Sequence, residues 1–174
     1  MLGSASIVND GYVTLVADAA AVGSSAVALA NVVAGISQMA NVEYGDAAVN
    51  VTNDGAFTIH AGAEASGGEL FSRANAVVYG AFFQGINAAS GSADIAFDNG
   101  GEFEITAGAK ASGEELVVAF AQALGGNQQA LAGDGETAAV SFANGGDYVV
   151  HADILLDVAG VEPDHPRSIP GSDC

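Results

Sequence analysis

Positive charge is scarce in this sequence. Its 174 residues include three basic side chains, Arg73, Lys110 and Arg167, against 21 acidic ones, for a formal net charge of −18. That balance argues against nucleic acid as a partner, because phosphates would be repelled. It argues equally against anionic lipid surfaces. A solvated acidic exterior on a soluble, secreted or salt-tolerant protein is the plainer reading, with weak divalent-cation binding as the second. Tryptophan is absent, and aromatic residues make up 7% of the chain. Half the residues are apolar, but alanine and valine supply most of them, and glycine is abundant beside them. Such a core is thin, with backbone layers close together, which suits a stacked solenoid better than a thick globule. A single cysteine, Cys174, allows no disulfide within the chain.

Proline is confined to Pro163, Pro166 and Pro170 in "VEPDHPRSIPGSDC". Residues 161–174 therefore read as an extended tail, and 1–160 as one repeat domain. The opening "MLGSASIVNDG" has neither the basic nor the apolar region of a signal peptide. The longest apolar run, Ala26 to Ala40, is interrupted by Asn31, Ser37 and Gln38. It is too short and too polar to span a bilayer.

What is present is repetition. Gly11-Tyr12-Val13-Thr14-Leu15 returns as Gly55-Ala56-Phe57-Thr58-Ile59, as Gly101-Glu102-Phe103-Glu104-Ile105 and as Gly146-Asp147-Tyr148-Val149-Val150. The steps between those glycines are 44, 46 and 45 residues. Asn9-Asp10, Asn53-Asp54, Asp98-Asn99-Gly100 and Asn144-Gly145 stand before them as turn signals. Glycine is expected there to supply positive φ. After each turn the chain alternates. Phe57, Ile59, Ala61, Ala63 and Ala65 share one face of a strand, and Thr58, His60, Gly62 and Glu64 the other. A second alternating segment, such as "AVALANVVAGISQMA", completes each unit, with Gln38, Gln84 and Gln128 near equivalent places. About four repeats of ~45 residues, each read as two coils of ~22, predict an all-β parallel solenoid.

An α/β repeat of strand–helix–strand units is the alternative. Ser66 with Glu69, and Ser112 with Glu115, have capping-box spacing before apolar runs. Residues 69–86 and 114–130 are the stretches in question. Internal glycines, β-branched content and period-two alanines favour strands.

Candidate chemistry is sparse. Asp10, Asp54, Asp98 and Asp134 are weak calcium candidates, although neither an EF-hand loop nor the β-roll nonapeptide is present. His60 and His151 share a repeat column with Val16 and Thr106, two repeats apart, and read as solvent-face residues rather than metal ligands. Glu102 and Glu104 share a strand face at roughly 7 Å, and Glu114 adjoins Glu115; each pair is read as acidic surface rather than as glycosidase carboxylates. No catalytic residue is assigned, and no cofactor beyond possible calcium.

The repeats resemble those of large secreted bacterial proteins, the autotransporter passengers and filamentous-haemagglutinin-like adhesins. The resemblance is carried by the Val-x-Asn-x-Gly-x-Phe-x-Ile-x-Ala-x-Ala pattern from Val51 to Ala63, more loosely from Phe97 to Ala109, and by the alternating alanines that follow. The Gly35-Ile36-Ser37-Gln38 element adds to it. It implies a right-handed parallel β-solenoid outside the cell or on a bacterial surface, a non-enzymatic stalk, adhesin or matrix component. The expected partners are further copies, other surface proteins or glycans. A filament joined through open ends or the tail is the alternative, and a polysaccharide-active β-helix enzyme a remote one.

Overall fold

The computed structural model describes residues 3–133 and 135–158. Among these the chain is all-β, with no helix. Four strands make the first tier: β1 (Gly3–Asn9), β2 (Tyr12–Val22), β3 (Ser25–Val32) and β4 (Ile36–Val42). The second holds β5 (Ala47–Asn53), β6 (Ala56–Gly68), β7 (Phe71–Val78) and β8 (Phe82–Ala88). The third holds β9 (Ala93–Asn99), β10 (Glu102–Gly113), β11 (Leu116–Ala123) and β12 (Gly126–Leu131). β13 (Ala138–Asn144) and β14 (Asp147–Val158) begin a fourth.

Every strand pairs in parallel with its counterpart in the next tier. Sheet I is β1-β5-β9-β13, sheet II β2-β6-β10-β14, sheet III β3-β7-β11 and sheet IV β4-β8-β12. Parallel sheets stacked in strand order are the arrangement of a β-solenoid. The register also corrects the expected coil length. Gly3 pairs with Ala47, Ala47 with Ala93 and Ala93 with Ala138, so one turn takes about 45 residues and carries four strands, not two coils of ~22.

Alternation decides which atoms face inward. Phe57, Ile59, Ala61, Ala63 and Ala65 are all buried, as are Ala26, Ala28, Ala30, Ala74 and Ala76 across the core. Sheet II thus packs on sheet III through alanines, while Val49 and Ile95 of sheet I pack on Ile86 of sheet IV. Methyl-sized side chains bring facing backbones close, as the composition demands. Between the sheet I–sheet II turn and the sheet III–sheet IV corner the interior is filled by aromatic stacks. Phe57, Phe103 and Tyr148 stack at centroid distances of 5.1 and 5.4 Å, Phe97 and Phe142 at 5.3 Å. Each such pair contributes ~0.5–1.5 kcal/mol beyond its buried area.

The capping-box helices do not form. Ser66 lies in β6, and Gly67, at φ +81°, falls where the register of β6 against β10 shifts. Ser112 lies in β10, which ends just before β11. Inward alanines at period two match a sheet facing another sheet, and burial on that face outweighs alanine's intrinsic helix preference. The turn glycines are also needed for another reason than expected. Gly55, Gly101 and Gly146 are not in the positive-φ region. A Cβ on Gly101 would collide with the carbonyl oxygen of Gly55, and one on Gly146 with that of Gly101. Close tier-to-tier backbone approach, rather than handedness, requires glycine there.

Candidate functional site

Two amide ladders run through the stack. Asn9, Asn53, Asn99 and Asn144 form one column at the sheet I–sheet II turn. The side-chain Nδ2 of Asn9 donates to Asn53 Oδ1 at 2.7 Å, Asn53 to Asn99 at 2.6 Å and Asn99 to Asn144 at 2.7 Å. Each of the first three amides also donates across the turn of the next tier, to the carbonyls of Ala56, Glu102 and Asp147 respectively. Gln38, Gln84 and Gln128 make the second ladder, with Gln84 Nε2 donating to Gln38 Oε1 at 3.0 Å and Gln128 Nε2 to Gln84 Oε1 at 2.8 Å. Their amides also donate to the carbonyls of Asn50, Ala96 and Ser141, tying sheet IV of each tier to sheet I of the next. Buried amides satisfied in this way rigidify the stack, since each is polarised by the next. The asparagines read from sequence as turn formers alone. Their recurrence at the tier spacing was the available signal for a ladder.

Of the ionisable side chains singled out by the sequence, His60, Glu64, Glu102, Glu104, Lys110 and His151 lie on the outer face of sheet II. The column Val16, His60, Thr106, His151 is confirmed by the register. His60 Nδ1 lies 2.7 Å from Thr106 Oγ1, and its Nε2 lies 3.6 Å from Asp18 Oδ1. His151 instead meets Asp153, Nε2 to Oδ2, at 2.7 Å. The two histidines are thus separated by Thr106 and are not brought together. Beside them Gly62 and Gly108 floor an open trough of about 460 Å³. Across it Lys110 Nζ donates to Glu64 Oε1 at 2.9 Å. The hydrogen bond and then the charge of Glu64 raise the Lys110 pKa above its ordinary value. Burial alone raises that of Tyr148.

The aspartate candidates do not converge. Asp10 and Asp54 occupy successive tiers of one turn, where Gly100 and Gly145 follow. Asp98 belongs to another column, aligned with Val8, Thr52 and Ala143. Asp134 lies outside the described residues. Among the described residues no group of three histidine, cysteine or acidic side chains is placed to hold a metal. Glu102 and Glu104 share the outer face of β10 as expected, and Glu114 and Glu115 occupy the exposed turn before β11.

No family model, curated protein or solved structure matches this chain.

Proposed function

We propose that this chain is a structural repeat protein: a β-solenoid of about four ~45-residue units that acts as a rigid, non-enzymatic stalk, adhesive surface or matrix component outside the cell. The observation that carries this reading is the pair of continuous amide ladders, reinforced by aromatic stacks. Both put the polar and bulky residues of the interior to work in holding tier on tier. Parallel pairing along one axis makes stability a sum over neighbouring tiers, so length and stiffness are gained by adding units. The acidic outer face keeps such a surface solvated. The fit of the sequence to secreted bacterial adhesin repeats is in keeping with it.

Electron microscopy of the purified chain tests the reading. Short rods of uniform width are expected, together with a far-ultraviolet circular dichroism spectrum of β type. Compact globular particles would contradict it, and depolymerisation of an acidic or neutral polysaccharide would contradict its non-enzymatic part.

A further inference from the structure

The charge of this protein is confined to part of its surface. Sheets I and II, with the turns that bound them, hold every acidic residue among the described ones. The segments that build sheets III and IV and the corner between them, residues 25–42, 71–88 and 116–131, contain no aspartate or glutamate at all. Their one charged side chain is Arg73. Because sheet II packs on sheet III and sheet I on sheet IV, sheets III and IV form one side of the coil, opposite the acidic side. That side also exposes large apolar groups. Leu29 is 53% exposed, Phe120 46% and Leu116 56%, while Val33, Tyr79 and Leu124 stand in a column at the corner. In a chain of net charge −18, an acid-free apolar side is not accounted for by solvation.

We propose that this side docks a second copy of the chain, back to back. Two such chains repel each other through any approach that opposes their acidic faces, and sheets III and IV give the approach that keeps those faces outward and solvated. The area suffices. About 18 extended residues at ~3.3 Å, three tiers deep at ~4.8 Å, offer roughly 800 Å² per copy, which is the share a standard stable interface takes from each partner. A two-fold axis makes the contact isologous and closed, so it yields a pair. Arg73 selects between the two ways of arranging it. Sheet III laid on the other copy's sheet III would oppose two Arg73 guanidiniums. Sheet III laid on the other copy's sheet IV sets Arg73 over the outward, exposed Asn41 and Asn87, whose amide oxygens accept hydrogen bonds. The second arrangement is therefore the one assigned.

The pairing rests on the solenoid reading, but the two fail separately. A rod-shaped monomer would remove the pair and leave the stalk. Light scattering on the size-fractionated full chain is the test. The expected mass is twice that of the 17.1 kDa chain. Phe120→Glu should weaken the pair at least ~10-fold in dissociation constant, since it buries an unpaired charge. Asn31→Glu replaces one exposed polar residue of β3 by another and should do the same without touching the core. Tyr12→Glu on the acidic side should leave the mass unchanged. Circular dichroism confirms that each variant is folded. A monomer at every concentration up to ~100 µM overturns the proposal, at a concentration where even a weak micromolar pair is populated. So does a pair lost with Tyr12→Glu and kept with both sheet III variants, or a monomer that partitions onto zwitterionic lipid vesicles.

Discussion

Asn53 Nδ2 donates to Asn99 Oδ1 at 2.6 Å, with both residues essentially removed from solvent. Neither amide has an alternative partner in water, so each depends on its neighbours in the column. Asn99→Ala would leave the Asn53 donor, the Asn144 acceptor and the carbonyl of Asp147 short of a partner. A loss of about 2–3 kcal/mol is expected, from an unsatisfied-group cost of ~1–3 kcal/mol. Urea unfolding measures it, and a loss below about 0.5 kcal/mol would show that the ladder contributes little.

Ser72 is the converse case. Its hydroxyl is fully buried without a hydrogen-bond partner, in a column whose first member is Ala26. Ser72→Ala removes an unsatisfied group and leaves a side chain that the column already accepts. The variant should be neutral or up to about 1 kcal/mol more stable. Destabilisation by more than that would mean that the hydroxyl has a partner.

The turn glycines separate two explanations of why they are glycine. A Cβ on Gly101 would meet the carbonyl of Gly55, whereas one on Gly11, in the first tier, meets nothing within 4 Å. Gly101→Ala should therefore cost about 2 kcal/mol or more, in the range of overpacked backbone, and Gly11→Ala below about 1 kcal/mol. Equal costs at the two sites would favour a shared backbone conformation over tier contact. Thermal midpoints of both variants decide the matter.

Alternation, turn spacing and the ~45-residue step were legible in the sequence because each is a local pattern. Phe57 and Ile59 faced inward as their period required, and the column of His60 with Thr106 followed from alignment on the glycines. Coil length was not legible, because period-two patterns in sheets II and III look alike and do not reveal which strand lies above which. Nor was the ladder role of Asn53, since asparagine before glycine serves a turn equally well. Asp98 precedes Asn99 whereas Asp54 follows Asn53, so the two aspartates stand two positions apart in register.

Alkaline pH should act through Tyr148 and Lys110. Burial raises the Tyr148 pKa, so the unfolded phenol ionises first and the folded state loses stability as pH rises above about 10. Lys110 gains from Glu64 while protonated. That contribution is complete below its ordinary pKa of 10.5 and is lost as pH climbs through the raised folded value. Tyr148→Phe should flatten the decline in stability above pH 10, as read from unfolding midpoints at stepped pH. A decline of unchanged slope would place the alkaline sensitivity elsewhere.

Tier-on-tier register is what the whole account depends on, and a crosslink reads it directly. Ala56 and Glu102 are paired neighbours on the outer face of sheet II, 46 residues apart in sequence. Adjacent strands lie ~4.8 Å apart, within the Cα separation a disulfide tolerates. In a Cys174→Ser background, Ala56→Cys with Glu102→Cys should oxidise to an intramolecular disulfide in the folded chain. Ala56→Cys with Val78→Cys, the pairing a 22-residue coil would demand, should not. A crosslink at 56 and 78 with none at 56 and 102 would contradict the four-strand turn and the amide ladders built on it.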